Sequence, residues 1–273
     1  MAGADRQELR GLAERLALEA AELARRRREE GVSVAATKSS DTDVVTETDR
    51  EVERLLRDRL AALRPGDGFV GEEGSSADPT EAGGVSWVVD PIDGTVNFLY
   101  GLPSVAVSIA AQEDGTVVAG AVVNVFTGTS YTAALGHGAT RDGRPLRVRA
   151  VPPMPERLVL TGFSYEPERR VLQGRAVASL LGRVRDIRRQ GSAALELCAV
   201  AEGAADAYLE EGLNLWDHAA GGLVAQEAGA RVGHHPGAGG TDCVVAAPAS
   251  SYDEMVALAR ECGFLAGGSS PRG

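Results

Sequence analysis

Residues 87 to 98 read Trp-Val-Val-Asp-Pro-Ile-Asp-Gly-Thr-Val-Asn-Phe, an apolar run that leads two carboxylates into a turn. The two valines after the tryptophan are typical of the end of a buried strand. Pro91 fixes its own φ and favours an extended conformation at the residue before it, so we expect the chain to turn here. Asp90 and Asp93 can then converge on one point.

The same turn offers the ligands of a hard metal ion. The Ile92 carbonyl lies between the two carboxylates, and oxygen ligands of this kind suit Mg²⁺ better than zinc. Gly94 permits close approach of the backbone to a ligand, and the N–H groups that follow it could open a helix whose N-terminus binds an anion. The pattern equally fits an Asp-rich turn in which Asp93 caps a helix, so the rest of the chain has to decide.

Composition limits the classes of function. The chain has 273 residues, of which 44% are hydrophobic and 25% charged, as is typical of a globular protein. No run approaches the roughly 20 apolar residues of a membrane helix, and the formal net charge of −11 disfavours nucleic acid as a partner. The N-terminal residues lack the pattern of a secretory signal, and Cys198, Cys243 and Cys262 show no C-x-x-C spacing. We therefore expect a cytoplasmic protein with buried thiols.

The chain mixes helical and strand periodicities. Apolar residues at helical spacing predict helices at 5–30, 46–63, 167–181, 193–203, 217–228 and 251–262. Alternating apolar residues with intervening turns predict an antiparallel meander over 104–149. A short strand that runs into a loop is predicted at 69–74, and further strands at 157–161, 184–189, 205–209 and 244–247. Because there is no internal repeat and no long linker, we predict a single two-lobed domain at 1–265 and a disordered tail at 266–273.

Acidic residues lie at the ends of several predicted elements. Asp49 and Asp217 stand at helix starts, Glu72 follows a strand, and Asp90 and Asp93 lie in the turn. Five carboxylates in one pocket would repel one another unless cations neutralised them, so a shared pocket implies more than one Mg²⁺. Two such ions form a clamp for phosphoryl transfer. Taken singly, each residue is explained as well by a helix cap or a solvated loop.

Other chemistries lack their sequence patterns. The chain has no G-x-x-x-x-G-K-[ST] phosphate loop, no H-E-x-x-H zinc motif and no G-x-S-x-G elbow. Lys38 is the only lysine, and a functional role and chance both remain open for it. The segment Gly191-Ser192-Ala193-Ala194 precedes a predicted helix, where it either binds a polar ligand through backbone groups or permits close helix packing.

Two segments carry a family resemblance: residues 87–98, and Trp216-Asp217-His218-Ala219-Ala220-Gly221 with Glu227-Ala228-Gly229. Supporting matches are Lys38-Ser39-Ser40, the run 43–49, Gly71-Glu72-Glu73 and Gly191-Ser192-Ala193-Ala194. Their order closely resembles that of the inositol monophosphatase family of Mg²⁺-dependent, lithium-sensitive phosphomonoesterases over nearly the whole chain. The resemblance implies an α+β fold, a layered αβαβα sandwich of the inositol monophosphatase and sugar phosphatase type, in a protein that is usually a homodimer.

The resemblance also implies a metal site that holds two to three Mg²⁺ ions. Glu72, Asp90 and the Ile92 carbonyl would hold the first ion, and Asp90, Asp93 and Asp217 would hold the second. Glu72 would help to hold a third ion through water.

Further residues match catalytic and substrate-binding positions of the family. Thr95 and Asp49 would orient and deprotonate the attacking water, in catalysis shared with the metal ligand Glu72. Gly94 and Thr95 would contact the phosphate. Glu210 and Ala193 would contact the substrate, and Lys38, which belongs to one of the supporting matches, is a possible further site residue without an assigned role.

We therefore predict an inositol-phosphate phosphatase that hydrolyses myo-inositol monophosphate to inositol and phosphate by attack of metal-activated water. The same chemistry on fructose 1,6-bisphosphate, histidinol phosphate or an adenosine bisphosphate remains open, because the motifs do not place the loops that select the leaving group. A function from a different class is that of a non-catalytic regulatory binding protein, which we would expect to have lost some of the carboxylates. The predicted partner is a small phosphorylated polyol, with neither nucleic acid nor membrane.

Overall fold

Two sheets and the helices around them form the fold in a computed structural model, which describes residues 5–31, 34–37, 44–79 and 84–267, without the side chains of 34–37 and 44. The helices are α1 (Arg6–Glu30), α2 (Glu47–Leu63), α3 (Thr95–Tyr100), α4 (Pro167–Leu181), α5 (Ala193–Ala201), α6 (Leu215–Glu227) and α7 (Tyr252–Cys262). A short antiparallel pair, β1 (Val34–Thr37) and β2 (Val44–Thr46), precedes α2.

The first sheet contains the predicted meander. Its strands are β3 (Gly68–Gly71), β4 (Ser76–Ala77), β5 (Val85–Asp93), β6 (Ala106–Glu113), β7 (Thr116–Asn124), β8 (Ser130–Ala134), β9 (Ala139–Arg141) and β10 (Arg144–Pro145). They lie in the order β10-β9-β8-β7-β6-β5-β3-β4. β3 and β5 are parallel, whereas β5 to β10 follow one another as antiparallel neighbours. The short turns between alternating apolar residues explain this arrangement.

The second sheet is mixed. It contains β11 (Leu158–Thr161), β12 (Asp186–Arg188), β13 (Ala207–Glu211), β14 (Ala230–Pro236) and β15 (Asp242–Pro248) in the order β12-β11-β13-β15-β14. β11 pairs in parallel with both β12 and β13, because α4 and α5 provide the crossovers that parallel pairing needs.

Helices and sheets alternate in five layers. α1 and α2 cover one face of the first sheet, α5 and α6 lie between the two sheets, and α4 and α7 cover the far face of the second sheet. The middle contacts are close because small residues form them: a Cβ at Gly120 of β7 would lie 3.1 Å from the Ala220 Cα of α6. The predicted αβαβα sandwich is therefore confirmed.

The outer helices follow from local sequence. In α1 the residues that face the first sheet are Leu9, Leu12, Leu16 and a row of alanines, all buried. Asp5 caps the helix by accepting a hydrogen bond from the Gln7 N–H at 2.9 Å. α2 begins with a capping box between Thr46 and Asp49. This box brings Asp49 into the interior, where it is fully buried.

Several predicted boundaries are wrong in informative ways. The strand that contains Val88 does not end before Pro91, because β5 runs to Asp93 with an irregular register between Asp90 and Asp93. α6 begins two residues before Asp217. β14 was not predicted, since its pattern of exposed and half-buried residues lacks a clear apolar alternation.

Other predictions about the chain have mixed outcomes. All three cysteines are buried and free, as predicted. No helix among the described residues is long and apolar enough to cross a membrane. The division into a domain at 1–265 and a disordered tail at 266–273 stays a prediction, and the end of that tail lies outside the described residues.

Candidate active site

Most of the residues predicted for the site line one cleft of about 580 Å³. Those that line it are Glu72, Asp90, Ile92, Asp93, Gly94, Thr95, Ala193, Glu210 and Asp217. They come from the loop after β3, the end of β5, the starts of α3, α5 and α6, and the end of β13. Asp49 does not line the cleft but contacts it through Thr95, and Lys38 lies outside the described residues.

The end of β5 turns because the side chain of Asp90 forms a hydrogen bond with the backbone two residues further along the chain. The Asp90 carboxylate accepts a hydrogen bond from the Ile92 N–H at 3.0 Å, the geometry of an Asx turn. Gly94 follows with φ of 94°, and a Cβ there would lie 2.8 Å from the Ser104 carbonyl oxygen. The segment therefore packs so tightly that glycine is required at this position.

Asp93 is anchored by the start of α5. Its carboxylate accepts hydrogen bonds from the Ser192 hydroxyl at 2.6 Å, the Ala194 N–H at 2.8 Å and the Ala193 N–H at 3.2 Å. The anion that the Gly191-Ser192-Ala193-Ala194 segment binds through its backbone is thus a side chain of the protein itself. This contact joins the first sheet to the middle helical layer.

The buried Asp49 and the half-buried Thr95 form a pair beside the Ile92 carbonyl. The Thr95 hydroxyl lies 3.1 Å from Asp49 Oδ1 and 3.1 Å from the Ile92 carbonyl oxygen. The other Asp49 oxygen accepts from the Thr46 N–H at 2.9 Å and from the Thr46 hydroxyl. Burial, and secondarily Glu73 and Glu72, raise the pKa of Asp49 to about 6, although the Thr46 hydrogen bonds oppose the rise. Asp49 is therefore both a capping residue and a candidate base.

Asp217 has the same double role at the start of α6. Its carboxylate accepts a hydrogen bond from the Asn214 N–H at 2.6 Å, which completes a capping box. The alternatives of helix cap and site residue are therefore compatible for both Asp49 and Asp217, because a cap at the third position of a helix can still face a cleft.

The carboxylates in the cleft raise one another's pKa values. Burial is the largest cause at Asp90, followed by Glu72, Asp93 and Asp217, and the pKa of Asp90 lies well above its ordinary value. The pKa of Asp217 is likewise raised well above its ordinary value by burial, then by Glu72 and Asp93. Burial also raises the pKa of Asp93 to about 6. These shifts show that the acids lie close enough to repel one another.

The donor set fits Mg²⁺. In the described part of the lining, acidic side chains outnumber the basic ones, which are Arg169 and Arg189. No three His, Cys, Asp or Glu side chains among the described residues already stand in metal-binding geometry. The fit thus depends on chemistry. The donors are all oxygen atoms, from the buried Asp90 and Asp93 and the half-buried Glu72 and Asp217, and a hard cation relieves the repulsion among them.

Glu210 lies across the cleft at the end of β13. Its Oε2 accepts a hydrogen bond from the Tyr208 hydroxyl at 2.8 Å, and burial raises its pKa, which Tyr208 and then Arg189 lower in part. Gly162 leaves the space that this carboxylate occupies, since a Cβ there would overlap it. Ala193 lies nearby at the start of α5.

Several lining residues were not predicted from the sequence. They are Phe163, Ser164, Tyr165, Glu166, Arg169, Arg189, Glu211, Gly212, Leu213 and Asn214. Arg169 lies in the first turn of α4 and Glu211 ends β13, whereas the others lie in loops that follow β11, β12 and β13, and no motif marks any of them. The alternation of parallel β11, β12 and β13 with helices was the available signal, since the carboxyl ends of parallel strands share one edge.

Comparison with known proteins agrees with this geometry. The sequence model described as the inositol monophosphatase family matches residues 5–263. The chain belongs to the inositol monophosphatase family. It is 50% identical over 267 residues to the inositol-1-monophosphatase SuhB of Mycobacterium tuberculosis. The aligned region covers 91% of this chain and 92% of that protein.

A solved structure supports the same assignment. The structure of Mycobacterium tuberculosis SuhB has a TM-score of 0.83 and 46% identity, and the match covers 96% of this chain and 100% of that one. The Nus factor SuhB of Pseudomonas aeruginosa is 36% identical over 235 residues, 85% of this chain and 87% of that protein. Membership of the inositol monophosphatase family makes the protein a phosphatase, and the cleft is its candidate active site.

Proposed function

We propose that the protein hydrolyses myo-inositol monophosphate to inositol and phosphate and requires Mg²⁺. The observation that supports this proposal best is the convergence of Glu72, Asp90, Asp93 and Asp217 on one cleft, where burial and then neighbouring carboxylates raise the pKa values of Asp90 and Asp217. Two to three Mg²⁺ ions, held by these carboxylates and the Ile92 carbonyl, would polarise the phosphoryl group and acidify the attacking water.

The proton of the attacking water would leave through Thr95 and Asp49. The Thr95 oxygen can accept a hydrogen bond from water while its proton lies toward Asp49 Oδ1, 3.1 Å away. Asp49 is suited to receive a proton because its pKa is raised to about 6, closer to neutrality than that of an exposed aspartate. Asp49 thus acts as general base through Thr95.

Substrate contacts follow the cleft away from this pair. Gly94 and Thr95 would contact the phosphate, since both line the cleft beside the proposed metal ligands. Glu210 and Ala193 would contact the sugar-like ring, with Glu210 accepting hydrogen bonds from hydroxyl groups. Tyr208 fixes the orientation of Glu210 through the 2.8 Å hydrogen bond.

A panel assay of phosphate release tests the substrate. The purified protein is given inositol 1-phosphate, fructose 1,6-bisphosphate, histidinol phosphate and an adenosine bisphosphate at equal concentrations, with Mg²⁺ titrated in each case. We expect the highest kcat/KM for inositol 1-phosphate and no turnover in EDTA. Strong activity on another substrate beside negligible activity on inositol 1-phosphate would move the proposal to that substrate.

The variant Glu210→Gln sharpens the assay. It should raise KM for inositol 1-phosphate about tenfold or more, because it removes a charged acceptor of hydroxyl protons. It should change little with a phosphomonoester that lacks the ring hydroxyls, such as p-nitrophenyl phosphate. Equal losses on both substrates would contradict the proposed contact with the ring.

Inhibition by lithium tests the second metal position. Li⁺ resembles Mg²⁺ in size but has half its charge, so it could occupy the position formed by Asp90, Asp93 and Asp217 once the leaving group has departed. We expect uncompetitive inhibition that strengthens as substrate rises, and activation followed by inhibition as Mg²⁺ rises. Purely competitive inhibition by Li⁺ in steady-state kinetics would contradict this assignment.

The proposal of a cytoplasmic homodimer without a nucleic-acid or membrane partner follows the family resemblance and the acidic composition. A non-catalytic regulatory function is the alternative, and one relative is named a Nus factor. The retained carboxylates favour catalysis. A folded protein that is inert with every substrate and metal in the panel would favour the regulator.

A further inference from the structure

A second buried carboxylate of α2 lies one helical turn after Asp49. Glu53 is 2% exposed, and it points toward the loop that joins β3 to β4. Residues four apart lie on the same face of a helix, so α2 presents Asp49 and Glu53 in line along the edge of the first sheet. Asp49 contacts the cleft through Thr95, whereas Glu53 lines no part of it.

The loop after β3 closes around the Glu53 carboxylate. Glu53 Oε2 accepts a hydrogen bond from the Glu73 N–H at 2.7 Å, and Oε1 accepts one from the Ser75 N–H at 3.2 Å. Bonds from N–H groups to a carboxylate are stronger than those between neutral groups. Because each carboxylate oxygen accepts a hydrogen bond, the Glu53 side chain holds the backbone of the loop at two residues, Glu73 and Ser75.

The backbone of the loop is shaped for this contact. A Cβ at Gly71 would overlap Glu53 Oε2, so the carboxylate occupies the space that a side chain at this position would need. The Gly71 N–H donates to the Ser75 carbonyl at 2.8 Å, and Gly74 has φ of 94°, which favours glycine. The loop is therefore a tight turn with the Glu53 carboxylate at its centre.

Glu72 is the residue of this turn that lines the cleft. Its N–H donates to the Val89 carbonyl of β5 at 3.2 Å, one residue before Asp90. Glu72 is also a leading cause of the raised pKa of Asp90, so the two carboxylates lie close together. The position of the Glu72 carboxylate relative to Asp90 thus depends on the turn that Glu53 holds.

We propose that Glu53 is a positioning residue, which holds the Gly71–Ser75 turn so that Glu72 and Asp90 together form the first cation position. This inference rests on the proposed function, in which Glu72 is a Mg²⁺ ligand. Carboxylates that orient ligands from behind commonly contribute 10- to 100-fold to metal affinity. Glu53 would raise Mg²⁺ affinity from outside the cleft, because it holds the backbone of the turn that carries Glu72.

Isothermal titration calorimetry with Mg²⁺ alone tests the proposal on the EDTA-treated, dialysed full-length protein. Glu53→Gln preserves the shape of the side chain but places an amide NH₂ against a backbone N–H. We expect it to weaken Mg²⁺ binding tenfold or more. In the double variant with Glu72→Gln, the change at Glu53 should add little further loss, because the two residues act through one another. Should Glu53→Gln not fold, Glu53→Asp keeps the charge but cannot reach both N–H groups, and should weaken Mg²⁺ binding in the same way.

Glu227 provides a matched control. Its carboxylate also accepts hydrogen bonds from two N–H groups that lie two residues apart in a loop, those of Gly136 at 2.9 Å and Gly138 at 2.7 Å. Glu227 does not line the cleft. Glu227→Gln should lower the melting temperature in EDTA yet leave Mg²⁺ affinity unchanged.

The outcomes separate the two proposals. If the wild-type protein binds Mg²⁺ and Glu53→Gln binds it equally well, the positioning role is overturned and the proposed function stands. Equal loss in Glu53→Gln and Glu227→Gln, or losses at Glu53 and Glu72 that simply add, also overturn it. A wild-type protein that binds no Mg²⁺ overturns both proposals.

Discussion

At the scale of single residues, the cleft is built from side chains that serve the fold and the chemistry together. Asp49 and Asp217 complete capping boxes, and Asp93 accepts three hydrogen bonds from the start of α5. The motif around residues 87–98 indicated which carboxylates matter. It could not reveal their partners, because Ser192 lies 99 residues from Asp93 in the chain and spacing carries no information about such contacts.

Asp93→Asn tests the residue that both the motif and the structure single out. Turnover should fall about 100-fold or more, since one preorganised charge is lost. The melting temperature in EDTA should fall only modestly. The amide loses one acceptor for the donors at the start of α5, but it avoids the cost of burying a charge, which raises the pKa of Asp93 to about 6. Phosphate release and thermal unfolding measure the two effects.

Asp67→Asn is the control for this change. Asp67 accepts a hydrogen bond from the Trp87 indole N–H at 2.9 Å and lies outside the cleft. Its variant should keep normal turnover. Near-normal turnover of Asp93→Asn as well would contradict the metal-ligand role.

At the scale of elements, helix starts determine where the side chains of the site point. Helical periodicity and the start and stop signals predicted α1, α2, α4, α5, α6 and α7 within about two residues at each end. α5 and α6 are buried between the two sheets, so apolar residues surround them and their periodicity does not show which side faces the cleft. The loops that complete the lining after β11 and β13 have no periodicity at all, and for that reason they could not be placed from the sequence.

Ser192→Ala tests the start of α5. The hydroxyl donates to Asp93 at 2.6 Å and accepts from the Leu195 N–H at 3.4 Å. We expect a loss of about 1 kcal/mol of stability, the usual effect of removing an N-cap. Turnover should fall about tenfold because Asp93 loses a donor that orients it. Denaturant unfolding and kcat are the measurements.

Ser251→Ala is the control that separates the effect of Ser192→Ala on stability from its effect on turnover. Ser251 is buried at the start of α7 and donates to the Pro248 carbonyl at 3.2 Å, away from the cleft. It should lose stability and keep its turnover. If both serine variants retain normal turnover, the anchor at Asp93 has no catalytic importance.

At the scale of the whole molecule, the resemblance predicted the five layers, since it gave the order of elements along nearly the entire chain. The buried acids between those layers have a collective effect on stability. Burial raises the pKa of Asp49 and Asp93 to about 6 and that of Glu196 to about 8. In the folded state all three therefore keep their protons to a higher pH than they do in the unfolded chain.

The melting temperature in EDTA should consequently fall between about pH 4 and pH 8. A raised pKa contributes stability that is complete below the unfolded values of 3.8 and 4.5 and is lost as pH rises through about 6 and then about 8. Saturating Mg²⁺ should weaken this dependence, because the cation binds the ionised forms. A melting temperature that rises across this range in EDTA would contradict the assignment.

Glu196→Gln isolates the upper part of that pH dependence. Glu196 is 1% exposed and accepts hydrogen bonds from the Gln190 and Gly191 N–H groups. The variant should remove the loss of stability between about pH 6 and pH 8 and make the loss below pH 6 less steep, so that only the part caused by Asp49 and Asp93 remains. Identical profiles for the variant and the wild type would exclude Glu196 as the cause.

The anchor between Asp93 and α5 also bears on how quickly the molecule comes apart. The Asp93 contact with Ala194 closes a loop of 101 residues, and the contact of Thr95 with Asp49 closes one of 46. Long loops are entropically slow to close. We therefore expect the two walls of the cleft, the end of β5 on one side and the start of α5 on the other, to come together late in folding. A cation that needs both walls would then slow unfolding and leave the refolding rate nearly unchanged. Stopped-flow unfolding with and without Mg²⁺ measures this directly. The lifetime of the folded enzyme should lengthen as the Mg²⁺ concentration rises, whereas the rate at which the enzyme folds should change little.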